Sequence, residues 1–207
     1  MAVKRRQPGQ TRQAILDAAE RQFAVSGYHG ASIREIFKEA HVGIGLMAYY
    51  FASKECLFEE VINRKIEDVR AVFSEKFDQI EERADVSPHL IFKMYLEFFL
   101  IDLNLQDENI KSYWNLLSRI SISYDDEIVR KCFAKFDFMA ERVAGALQRA
   151  VPYAAARKIR SALVLAEAAV TTLNAADGLF SHRLGEGEDI RGCIEQYAAM
   201  FAYSIQQ

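Results

Sequence analysis

The stretch Ser32–Phe58 reads SIREIFKEAHVGIGLMAYYFASKECLF. Ser32 is placed to cap a short helix, Ile33 to Ala40, that carries Ile36 and Ala40 on one face. His41-Val42-Gly43 then interrupts the periodicity, and a second short helix runs from Ile44 to Phe51. Ser53 caps a longer helix, with Glu55 in its first turn, where the helix dipole favours an anion. Two short helices joined by a tight turn make a helix-turn-helix, with Ile36, Ala40, Val42 and Met47 as its inner seam. A small residue such as Ala40 suits the point where the two helices cross. Spacing of this kind also arises in any helical hairpin, so the pattern alone does not establish DNA binding.

Working outward, Thr11 can cap a first helix in which Ile15, Ala18, Ala19 and Phe23 share a face, ending at Gly27. The segment 1–10 carries Lys4, Arg5, Arg6 and Pro8-Gly9 and reads as a flexible basic arm. Downstream, the helix capped by Ser53 has an apolar stripe of Leu57, Phe58, Val61, Ile62 and Ile66. Five further helical patterns follow. One starts at Pro88, one at Asp107 and one at Asp125-Asp126-Glu127; an Ala-rich pattern spans Ala154 to Leu179, and the last runs from Ile190 to Ile205. With 3 prolines and 10 glycines in 207 residues and no strand-type alternation, the fold class is all-α, with about nine helices. Three parts are expected: a basic arm (1–10), a helix-turn-helix head (11–56) and a larger body (57–207).

Charge follows that division. Residues 1–56 hold 8 Lys/Arg against 5 Asp/Glu, and residues 57–207 hold 18 against 24. A basic head on an acidic body fits a nucleic-acid reader attached to something with another task. The cysteines, Cys56, Cys132 and Cys193, form no paired or metal-binding spacing and point to a reducing cytoplasm. No stretch is long and apolar enough to predict a membrane span, and no cofactor or metal is expected. His29, His41, His89 and His182 are far apart, and the motifs of zinc proteases, serine hydrolases and phosphate loops are absent, so no enzyme is predicted.

Between Thr11 and Phe58 the chain resembles the TetR family of bacterial regulators. Thr11-Arg12 with Ile15, Ala18-Ala19 and Phe23 is similar to the family's first helix, and Gly27-Tyr28 to its glycine-aromatic end. Ser32-Ile33-Arg34-Glu35-Ile36 matches the start of the second helix. Tyr49-Tyr50-Phe51 followed by Ser53-Lys54-Glu55 and Leu57-Phe58 matches the most recognisable signature. The resemblance implies that Ser32 and Arg34 approach DNA from the front of the second helix. It implies too that Tyr50 and Lys54 bind phosphate, and that the third helix enters the major groove.

Three positions depart from the pattern. His41 stands where a turn glycine is usual and is expected to adopt positive φ. Gly43 replaces a serine cap, and Ala48 replaces a tyrosine. From Gly43 to Ala48 no side chain offers a hydrogen bond to a base edge. Readout is therefore expected from Ile44 and Leu46 on thymine methyls, from Tyr49 and Arg34, and from DNA shape, with Gly45 permitting close approach.

The resemblance further implies a homodimer through the last two long helices, bound to a palindromic double-stranded operator. In the body, Phe92, Tyr95, Phe99, Trp114, Phe133 and Phe136 supply either core packing or the lining of a pocket for a small, largely apolar or aromatic effector. Glu97, Asp102 and Arg119 either orient such a ligand or form ion pairs and solvated faces. The function expected is a ligand-responsive DNA-binding regulator, which the resemblance implies is a repressor released by its effector. The alternative is a helical protein-interaction module that has lost specific DNA binding.

Overall fold

A computed structural model describes residues 8–83, 85–103, 113–114, 116–118, 127–175 and 190–207. Lys4, Arg5, Arg6, Arg119 and His182 lie outside them, as do the predicted helix start at Asp107, Asp125-Asp126 and the predicted end of the Ala-rich helix at Leu179. The described residues are overwhelmingly helical, and no strand occurs among them, as the composition predicts.

The helices are α1 (Pro8–Gly30), α2 (Ile33–Glu39), α3 (Met47–Tyr50), α4 (Lys54–Asn63), α5 (Ile66–Glu81) and α6 (Pro88–Glu97). They continue with α7 (Glu127–Phe133), α8 (Asp137–Ala150), α9 (Ala156–Ala175) and α10 (Ile190–Gln206). A 3₁₀ turn, Ile44–Leu46, leads into α3; another, Ala134–Phe136, separates α7 from α8; a π segment, Phe98–Asp102, extends α6.

Several boundaries differ from expectation. The first helix starts at Pro8, not at a Thr11 cap. Proline is well suited to a first helical position, where its missing N–H is not needed and its fixed φ is already helical. The helix predicted beyond Ser53 as one stripe ending in Ile66 is two, broken at Arg64-Lys65 without glycine or proline. Both cations at the break turn to α1: Arg64 pairs with Asp17 and lies 3.6 Å from Glu20, and Lys65 reaches Glu20 at 3.2 Å. The helix predicted to start at the three acids is likewise divided, by the Ala134–Phe136 turn. Pro88 does open α6, and the hydroxyl of Ser87 before it accepts a hydrogen bond from the Leu90 amide.

The described residues form two compact units. Those of Met1–Glu67 and Ser112–Cys132 make the first, and those of Asp68–Lys111 and Phe133–Gln207 the second. The first unit is built on Ile15, Ala19, Phe23, Ile36, Phe37, Leu57, Phe58 and Ile62, all buried. Its aromatic centre is Phe58, 5.0 Å from both Phe23 and Tyr28 between ring centroids. The second unit has Phe73 at its heart, against Phe77 at 5.5 Å, Phe98 at 5.1 Å and Phe138 at 6.0 Å. There α6 lies along α10, with Phe92 facing Phe201 at 5.5 Å. Lys93 and His89 of α6 both reach Glu195 of α10, at 2.6 and 3.2 Å.

Candidate nucleic-acid interface

The first helix is kinked at Gly27, which takes φ 67°, a left-handed value that a side chain would strain, and a short last stretch runs on to Gly30. The chain turns there, and the Ala31 amide returns to the Gly27 carbonyl at 3.2 Å. Ser32 is extended (φ −101°, ψ 124°) at the N-cap of α2, but its hydroxyl makes no capping bond and stays in solvent.

The α2 helix closes in a Schellman motif. His41 donates to the Lys38 carbonyl at 3.0 Å and Val42 to the Phe37 carbonyl at 2.8 Å, with His41 at φ 57°. Positive φ at His41 is what the sequence predicts. Gly43 is then extended (φ −65°, ψ 132°) and occupies the N-cap of the 3₁₀ turn. The third element is therefore tighter at its start than an α-helix, with α3 proper beginning at Met47.

Within this hairpin Ile36 and Ala40 are buried, and Val42 and Met47 half-buried, so the inner seam is as predicted. The opposite face is open. Ile44 and Leu46 are each 46% exposed and Tyr49 72% exposed, and Arg34, Gly45 and Ala48 also face solvent. Tyr50 is half-buried and meets Tyr49 edge to face at 4.8 Å.

Phe51 leaves α3 in an extended conformation and is buried, with the Arg12 guanidinium 5.4 Å above its ring. Ser53 then caps α4, its hydroxyl accepting from the Cys56 amide at 3.1 Å. Lys54, the first residue of α4, donates from Nζ to the His29 carbonyl at 3.3 Å and lies 4.9 Å from the Tyr28 ring centroid. Partial burial lowers the Lys54 pKa from its ordinary value, and Glu55 beside it acts the other way. The Glu55 carboxyl is held below its usual range, first by the Ser53 hydroxyl and also by the Tyr28 hydroxyl.

The part played by Tyr28 is not visible in the sequence. Its hydroxyl donates to Glu55 Oε1 at 2.9 Å, which fixes the end of α1 against the start of α4 and so places Lys54. The sequence offers only an aromatic after a glycine as a signal.

Cations elsewhere in the head are neutralised: Arg12 by Glu60, Arg21 by Glu39 and Lys38 by Glu35. Among the described residues of 8–63, Arg34 and Lys54 are the two Lys/Arg side chains that make no ion pair. They stand on the elements flanking the exposed Ile44–Tyr50 face. Hydroxyls and cations without an ion-pair partner, beside a short exposed helix, are the groups that phosphate oxygens and a groove require.

The aromatic residues proposed for an effector are divided between the units. Trp114 belongs to the first, and Phe92, Tyr95, Phe99, Phe133 and Phe136 to the second. Phe92, Tyr95 and Phe99 are buried, whereas Phe133 and Phe136 are half-buried and 6.2 Å apart. Tyr95 stacks edge to face on Phe99 at 4.9 Å and its hydroxyl approaches Glu167 at 3.5 Å. Burial raises the Tyr95 pKa well above normal, and burial likewise raises that of Glu167. Glu97 and Asp102 both pair with Lys76, across the π segment. Among the described residues no group of side chains could hold a metal ion, and no helix is long and apolar enough to cross a membrane.

Residues 15–61 match the model of the bacterial regulatory proteins of the tetR family, and residues 100–202 match the tetracyclin repressor-like C-terminal domain. The HTH-type transcriptional regulator UidR of Escherichia coli K12 is 36% identical over 70 residues. That match covers 34% of this chain and 36% of UidR, so the chain spans about a third of the relative's length. Among solved structures, the hemolysin II transcriptional regulator HlyIIR superposes with a TM-score of 0.62 at 22% identity, covering 91% of this chain and 96% of that one. A putative transcriptional regulator from Pseudomonas aeruginosa PAO1 gives 0.65 at 16% identity, covering 98% and 93%. Both show the same fold. With the two family models matching its head and most of its body, the chain belongs to the TetR family of transcriptional regulators and carries that family's helix-turn-helix DNA-binding domain.

Proposed function

We propose that the chain acts as a dimeric repressor that grips operator phosphates with Ser32, Arg34, Tyr50 and Lys54. In this reading the exposed face of Ile44, Gly45, Leu46 and Tyr49 lies in the major groove. The observation that carries it is that Arg34 and Lys54 make no ion pair and stand on the elements either side of the solvent-facing third helix. Phosphate contacts fix register, and base or shape contacts then specify the site.

A second copy is supported by the apolar face that α9 and α10 leave uncovered. Val164 and Leu165 are each 61% exposed, Met200 53% and Tyr203 64%, with Ala168 and Ala199 exposed on the same helices. Small residues among large ones permit close helix packing, and an operator built as a palindrome matches a two-fold dimer.

A small, largely apolar or aromatic effector entering the body would act by preferring a state in which the two heads no longer match their half-sites. Tyr95, Phe99, Phe133 and Phe136 supply apolar surface for it, and Glu167 a polar anchor.

The test is fluorescence anisotropy of labelled duplex from upstream of the chain's own reading frame, competed with unrelated DNA. Binding at least about a thousandfold tighter than to the competitor supports the reading. Equal affinity for both, or none for either, refutes it.

A further inference from the structure

The face that the third helix presents to solvent has no role within the head. Ile44 and Leu46 leave close to half their surface in water, and the residue between them is glycine. A Cβ added at Gly45 meets nothing within 4 Å, and its φ lies outside the left-handed range. The same holds at Gly43. Neither packing nor backbone conformation therefore demands a glycine at position 45. The surface so formed is two branched aliphatic side chains on either side of a bare backbone.

Chemically the surface is as plain as a protein surface can be. From Gly43 to Ala48 no side chain carries an N–H or O–H donor, and the weakly accepting Met47 thioether is half-buried on the inner side. Base pairs in the major groove differ in their donors, their acceptors and the C5-methyl of thymine. Aliphatic carbon can form a favourable contact only with the last of these. Against a bare donor or acceptor it only removes water.

We infer that Ile44 and Leu46 read pyrimidine C5-methyl groups rather than hydrogen-bonding base edges. Thymine and 5-methylcytosine then serve alike at the contacted positions, whereas uracil and cytosine do not. The inference rests on the docking proposed above and specifies what the docked face selects. Thymine and 5-methylcytosine carry the methyl on the same ring carbon. They differ at C4, an oxygen acceptor in one and an amino donor in the other, and neither finds a partner on Ile44 or Leu46.

The experiment selects a tight duplex for the full-length protein from a random pool, then replaces each thymine singly with uracil. Removing one contacted methyl should weaken binding about fourfold, the transfer free energy of one such group. The loss should be confined to one or two positions per half-site. At those positions a 5-methylcytosine–hypoxanthine pair, which keeps the methyl and lacks the guanine amino group in the minor groove, should bind within about twofold of thymine–adenine. Cytosine–hypoxanthine should bind as poorly as uracil–adenine. In protein carrying Ile44→Ala and Leu46→Ala, both solvent-exposed positions, the uracil penalty should vanish.

Uracil tolerated at every position of a specifically bound duplex would overturn the inference and leave DNA binding standing. So would equal weakness of the methylated and unmethylated cytosine pairs. If no duplex is enriched at all, the docking itself falls, and this inference with it.

Discussion

The Tyr28 hydroxyl donates to the Glu55 carboxylate across 2.9 Å, and the ring of the same tyrosine lies 4.9 Å from the Lys54 ammonium. One side chain thus ties the glycine-terminated end of α1 to the first turn of α4. Tyr28→Phe keeps the ring and removes the bond. Equilibrium unfolding should show a loss of about 1 kcal/mol, the net worth of one such hydrogen bond. Operator affinity should drop several-fold as Lys54 loses its fixed position. An unchanged affinity in a destabilised head would show that Lys54 does not depend on this clamp.

His41 occupies the left-handed position of a Schellman motif, where a side chain costs about 1 kcal/mol relative to glycine. His41→Gly should therefore raise the stability of the head by somewhat under that amount, since glycine also gains entropy when unfolded. Urea unfolding monitored by the head's tyrosines measures it. A destabilised variant would mean that the imidazole makes a compensating contact.

The Glu167 carboxyl titrates above its ordinary range because burial disfavours its charged form; Tyr95 opposes this and Asp137 adds to it. Its folded pKa then exceeds its unfolded one, so between the two the native state holds more protons and stability falls as pH rises. Glu167→Gln removes that cost. The variant should be more stable than the parent at about pH 7, and the advantage should shrink away near pH 4. A pH-independent difference would contradict the assignment.

Leu165→Asp combined with Met200→Asp places two charges on the open α9 and α10 faces. If those faces meet a second copy, sedimentation should show a monomer with undiminished helicity. Operator binding should weaken by orders of magnitude, because one head holds only one half-site. A persisting dimer would move the interface elsewhere.

Much of this architecture is legible in the sequence because local signals decide it. Ser53, Pro88, Gly27 and the His41 turn act within a few residues of their own position, and each stands where the pattern places it. The break between α4 and α5 is illegible for the opposite reason. Arg64 and Lys65 are good helix formers, and the side-chain contacts found at the break are with distant residues: Arg64 with Asp17, Lys65 with Glu20 and the Ile62 carbonyl with the Tyr113 hydroxyl. The same holds at the site. The exposed face of the third helix follows from periodicity, whereas the Tyr28–Glu55 bond and the Lys54–His29 contact join segments that no spacing rule connects.

The central claim is that Arg34 and Lys54 grip DNA phosphates in both heads of a dimer. The most direct test is the salt dependence of operator affinity for the parent and for Arg34→Ala/Lys54→Ala. Four lost phosphate contacts should make the slope of log K against log salt shallower by about 3.6. A slope unchanged in the double variant would contradict the account.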